Sequence, residues 1–207
     1  MYFARFCGGL DSYGENVMDI KEILQNQGIQ TRIVPCEIEV AFAKAKENLE
    51  AYRKEFVALS QHRYGSITQW LNKNKSKNRL EDTDEVLLEL LVELYQKVEN
   101  IEQILLNKSF AYVPLSGEGI ANFVGHSVLC MPENVFEKGQ EYYLRIFLNA
   151  FPKRYIGIFG KSIDEKIVVF TQIHQSDVVD FDSFVAQMER LMILDSKSAL
   201  NALKGVE

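Results

Sequence analysis

Cysteine is scarce in this chain of 207 residues, and the three present, Cys7, Cys36 and Cys130, are odd in number and far apart. Such a set argues against a disulfide frame and shows no zinc spacing, so each reads as a reduced thiol serving as a small buried apolar residue. Histidine is equally sparse. His62, His126 and His174 fall in different predicted elements, and no spacing among them, the cysteines and the carboxylates demands a metal. His126 stands four residues before Cys130, which on a strand sets both on one face, yet a buried thiol beside a satisfied imidazole is the commoner arrangement.

An excess of positive charge is missing too. With 23 basic against 29 acidic side chains the formal net charge is −6, so the overall field repels nucleic acid and anionic lipid, and any anionic ligand needs a local basic cluster. The start, MYFARFCGGLDSYGENVMD, carries neither a basic leader nor a continuous apolar stretch, and no window approaches a membrane span. A cytoplasmic protein without membrane insertion is expected. The loop GGLDSYG has no G-x-G-x-x-G and no G-K-[ST], and it reads as a connector. Ser116 in S-G-E-G lacks the preceding glycine of a nucleophile elbow, and no carboxylate pair is marked out as acid and base. The expectation is a protein that is not an enzyme and holds no metal.

Periodicity supplies what is there. The first thirty-five residues suggest a strand (Tyr2 to Cys7), a helix ended by Gly28, and a short strand from Thr31 to Val34. Then Ile38, Phe42, Ala45, Leu49, Tyr52, Phe56 and Leu59 run in steps of four and three, the seam of a coiled helix that wants a helical partner. Trp70 reads as an anchor of a helical segment, and NKNKSKNR at 72–79 as a solvated loop, since no aromatic is interleaved to stack bases. A second seam follows at Leu87, Leu91, Leu94, Val98, Ile101 and Leu105. Leu88, Leu90 and Ile104 fall on its flanks, where a two-stranded coil usually carries charge, so the apolar face widens toward three or four helices.

From Phe110 the period drops to two. In EYYLRIFL at 141–148, Tyr142, Leu144, Ile146 and Leu148 alternate with Glu141, Tyr143, Arg145 and Phe147, and similar segments follow at 155–159 and 167–173. Short strands with turns at Lys138-Gly139 and Asp164-Glu165 suggest a small antiparallel barrel or sandwich. A helix capped by Asp180 then places Phe181, Phe184, Val185, Met188, Leu191 and Met192 as a plug, and residues from Asp195 look frayed or loosely helical.

The run LSGEGIANF, then FEKGQEYYLRIFL, then RYIGIFGKSIDEKIVVFTQI and a helix containing DFDSFVAQMERLM resembles a PilZ domain over about 110–193. The resemblance implies a six-stranded antiparallel barrel with a terminal helix and a link to the bacterial messenger cyclic di-GMP. LYQKVENIEQIL is similar to a PilZ-related subgroup that places a long leucine-rich helix before the barrel and assembles through it, often as tetramers. The expected fold is α+β: a mainly helical region at 1–79, a coiled-coil helix at 80–107, a PilZ-like barrel with its helix at 108–195, and a tail at 196–207.

The family's ligand signature carries over in part. In its Asp/Asn-x-Ser-x-x-Gly half, Ser116 and Gly119 match and are the candidate ligand-binding residues, but the leading position is Pro114, which offers a guanine edge neither donor nor acceptor. Its other half, Arg-x-x-x-Arg, is absent from this sequence. Two lost bidentate arginines remove about 2–6 kcal/mol, which moves a micromolar site to tens of micromolar or millimolar. No cofactor is expected, with cyclic di-GMP the one ligand to test, and S-G-E-G reads as a tight turn or bulge. The reading is an oligomeric adaptor, self-associating through Leu87, Leu91, Leu94, Val98, Ile101 and Leu105, with Tyr143, Arg145 and Phe147 the candidate surface for a protein partner, or buried if the strand's register is turned over. Its alternatives are a receptor drawing on Arg79, Lys108, Lys153, Arg154 or Lys161, and a coiled-coil scaffold.

Overall fold

The computed structural model describes residues 19–61, 112–149 and 154–204, with isolated helical positions from Leu87 to Ile101. The suggested strand Tyr2 to Cys7, Trp70 and the basic run 72–79 lie outside the described residues.

Strand β1 (Val34–Lys44) reads VPCEIEVAFAK; Cys36, Ile38, Val40 and Phe42 join the core while Glu37 and Glu39 are exposed. This corrects the coiled helix expected from Ile38 to Leu59. Core residues of a strand recur at every second position, so Ile38 and Phe42, sampled alone, imitate a helical step of four. A 3-10 turn, Ala45–Glu47, follows, and only then does a helix begin, Leu49–Gln61, here called the outer helix. The later half of the supposed seam is thus helical and the earlier half is not.

Five further strands complete a closed barrel: β2 (Gly117–Gly125), β3 (Val128–Cys130), β4 (Glu141–Leu148), β5 (Arg154–Ser162) and β6 (Ile167–Ile173). They run antiparallel in the order β1-β2-β3-β6-β5-β4, and β1 closes the ring by pairing with both β2 and β4. β4 and β6 take the limits that alternation predicts, and Gly139, at φ 84°, makes the turn before β4. The first barrel strand therefore comes from a part of the chain where a helix was expected.

Ile38, Leu144, Ile146, Ile156 and Ile158 fill the interior, and the C-terminal helix (Gln175–Lys204) inserts Phe181, Phe184 and Val185 among them. Full burial of such a side chain contributes about 1.5–3 kcal/mol. The helix starts six residues earlier than a cap at Asp180 suggested. His174 caps it instead, its carbonyl accepting from the Asp177 N–H at 2.7 Å and its Nδ1 accepting from the Ser176 N–H at 3.3 Å. It also continues through Asp195 to Lys204, the helical of the two alternatives expected there, and Leu191 and Met192 end up outside the plug.

On the outside, the outer helix lays Tyr52 and Phe56 against Ala43, Tyr143 and Phe159. The Tyr52 and Tyr143 rings stack at 5.1 Å, and a Cβ at Gly157 would stand only 3.2 Å from the Phe56 Cα. Glycine there lets helix and sheet approach. Residues 19–26 form a further helix ended by Gly28 at φ 71°, with Leu24 packed beside Ile33 and Phe123. No helix among the described residues is long and apolar enough to cross a membrane.

Candidate functional site

Ser116 is exposed at a bend just before β2, and Gly119 lies within β2, opposite Val40. Among the described glycines only Gly28 and Gly139 have positive φ, and Gly117 to Gly119 lie in strand β2, so S-G-E-G is no tight turn. Its glycines answer a packing need. A Cβ at Gly117 would fall 2.6 Å from the Phe42 Cζ, and one at Gly119 would fall 2.7 Å from the Met131 terminal methyl. Both positions leave room in the barrel for larger neighbours. The outer side chains of the same stretch are Glu118 and Ile120, and Glu39 of β1 stands opposite Ile120.

Of the cations near the stretch or named for a ligand, Arg145 and Arg154 are engaged elsewhere, Lys161 is exposed, and the rest fall outside the described residues. Glu118, Ala41 and Arg145 form one row across β2, β1 and β4, yet Arg145 turns to Glu55 of the outer helix, with its Nη1 donating to Oε1 at 3.0 Å and Oε2 at 3.2 Å. Arg154 is buried and donates to Asp177 at 2.9 Å and to Asp180 at 2.6 Å. Lys161 is exposed on β5, whereas Arg79, Lys108 and Lys153 lie outside the described residues.

Glu55 organises a junction that the sequence did not announce. Its side chain is 1 % exposed, and it accepts from the Tyr143 hydroxyl at 3.0 Å and from the Val113 N–H at 2.5 Å as well as from Arg145. Arg145 also donates to the Val113 carbonyl at 3.0 Å and lies 4.8 Å from the centre of the Tyr112 ring. The outer helix, where the chain leaves the barrel, and residues 112–115, where it returns, are thereby fastened to one spot on β4. Burial, and then the adjacent Glu55 carboxylate, push the Tyr143 phenol well above its ordinary range, so it stays a donor. This corrects the expectation of a free surface at Tyr143, Arg145 and Phe147. Tyr143 is fully buried, Arg145 is committed to Glu55, and Phe147 packs on Tyr155 at 5.0 Å.

His126 and Cys130 do not form a pair. His126 sits in the β2–β3 turn, with Nδ1 2.7 Å from Asp182 of the C-terminal helix, while Cys130 is buried in β3. Burial pushes both the Cys36 and the Cys130 thiols up to about 12, which keeps them protonated and unreactive near neutral pH. No cluster of potential metal ligands occurs among the described residues.

Two further surface features remain. One is a groove of about 490 Å³ beside the helix 19–26, where Lys21 and Arg32 flank Leu24 and Ile29 with Gln25 and Gln30 alongside. The other is the leucine row: Leu87, Leu91, Leu94, Val98 and Ile101 are helical and, with Leu90, between 52 and 60 % exposed. Leu105, Leu88 and Ile104 lie outside the described residues. Comparison with known families, curated proteins and solved structures gives no match for this chain.

Proposed function

We propose that the protein is a cytoplasmic, non-enzymatic adaptor of the PilZ-like kind, tied to cyclic di-GMP-dependent control of motility, pili, adhesion or virulence, with weak or no binding of the nucleotide itself. It self-associates through the leucine row, as a tetramer by likeness to the subgroup, and meets a protein partner through the barrel. The observation that carries this reading is the exposed helical row from Leu87 to Ile101, which a lone chain would hold more than half exposed to water. The closed antiparallel barrel and the helix that plugs it support the PilZ likeness. Acidic Glu37, Glu39 and Glu118 on the outer face around Ser116 and Gly119, together with the engagement of Arg145 and Arg154, argue against a dianion there. Scattering-based mass tests the assembly: Leu94→Asp lowers the mass to that of one chain, and an unchanged mass overturns the seam.

A receptor that gathers its cations elsewhere is the second reading, favoured by Lys21 and Arg32 on the groove beside the helix 19–26. Calorimetric titration with cyclic di-GMP separates the two. Micromolar heat that vanishes in Lys21→Ala and Arg32→Ala supports the receptor; no heat in the micromolar range supports the adaptor.

A further inference from the structure

The pairing of β1 with β2 is irregular between Pro35 and Ile38, where proline has no N–H to give to the ladder. A cleft of about 160 Å³ opens there, lined by Pro35, Cys36, Glu37, Ile120, Asn122 and Pro132. Three properties of this cleft belong together. The Asn122 Oδ1 is buried and accepts no hydrogen bond among the described residues, a state that is costly unless a donor arrives. Glu37 stands on the rim and Glu39 and Glu118 continue the negative row along the same outer face, with no ion pair to any of the three among the described residues. Ile120 is 55 % exposed between them, an apolar side chain at the centre of an acidic strip. Among the described residues no lysine or arginine lines the cleft.

We propose that this cleft docks a lysine or arginine side chain from an extended segment of a protein partner. The aliphatic stem of such a residue suits Ile120 and Pro132, and its head group supplies the donors that Asn122 Oδ1 and Glu37 lack. The neighbouring Glu39 and Glu118 attract the segment and disfavour acidic partners. A divalent cation is poorly served, since one carboxylate and one amide oxygen are too few hard ligands. The proposal stands apart from the self-association argued above, and its test does not depend on it.

Amide-resolved NMR titration of the full chain with the blocked tripeptide Ac-Ala-Arg-Ala-NH2 tests it, with the citrulline analogue and spermidine as comparisons. Saturable shifts are expected at Glu37, Ile120 and Asn122. Glu37→Gln should weaken them about threefold, in line with one exposed ion pair, while Glu141→Gln on β4 leaves them unchanged. Asn122→Ala should weaken them as well. Equal response to the citrulline peptide, equal affinity for spermidine, shifts spread over all acidic surfaces, or indifference to Glu37→Gln would each overturn the proposal. Unchanged amide dispersion away from the cleft shows that a variant has folded.

Discussion

The barrel interior and the helical positions from Leu87 to Ile101 draw on the same residue types and end in opposite conditions. Leu144, Ile146 and Ile158 are completely buried, whereas Leu94 and Ile101 are more than half exposed. The difference teaches where satisfaction comes from. Strand residues find their partners within the chain, because β1 pairs with both β2 and β4 to close the ring and the C-terminal helix fills it. The leucine row finds no comparable cover among the described residues, and an apolar helical stripe of that length calls for another helix.

The contrast can be broken most forcefully at the junction between the two regions. Glu55→Ala leaves Arg145 and the Val113 N–H without their buried acceptor, and the loss should be about 3–5 kcal/mol in urea unfolding. Replacing Glu55 and Arg145 together by methionine should cost clearly less, and equal losses would mean that packing, not charge, dominates there. Alkaline pH attacks the interior next. The Cys36 and Cys130 thiols ionise near 9 when unfolded and at about 12 when folded, so the folded state holds more protons between those values. Stability then falls as pH rises through that window, by up to about 1.4 kcal/mol per pH unit for each thiol. Melting temperatures from pH 7 to 11 check this, and Cys130→Ala should flatten the alkaline limb.

Smaller effects sharpen the comparison from the other side. Leu94→Asp should leave barrel stability within about 0.5 kcal/mol, since among the described residues Leu94 joins no core cluster, even as it lowers the assembly mass. A large drop in urea midpoint would mean that the row packs on its own barrel. His126→Ala should change stability by no more than about 1 kcal/mol, because its pair with Asp182 is nearly half exposed on both sides. Hydrogen exchange at the start of the C-terminal helix gives the local reading.

Much of the barrel was legible. Alternation placed β4 and β6 to the residue, and Phe181, Phe184 and Val185 were readable as a plug. β1 was misread although its signal was present: Cys36, Ile38, Val40 and Phe42 alternate with Glu37 and Glu39 and share one strand face, whereas a helix would turn Cys36 and Val40 away from Ile38 and Phe42. The four-three spacing persisted only because a strand happened to hand over to a helix in phase. At the candidate site, Ser116 and Gly119 could be found by motif, but their role could not. Gly117 and Gly119 are small because Phe42 and Met131 need the space, and that pairing joins residues far apart in the chain. Glu55 was invisible, since a glutamate on an amphipathic helix looks like any solvated one.

By itself the sequence determined the periods: which residues share a strand face, which leucines share a helix stripe, and how few cations stand near them. Only the tertiary structure decided what covers each face. It put the outer helix over Tyr143, turned Arg145 to Glu55 and Arg154 to Asp177, and brought β1 between β2 and β4. Period is a local property of the backbone, while cover and ion pairing depend on contacts between distant segments, which no local pattern encodes.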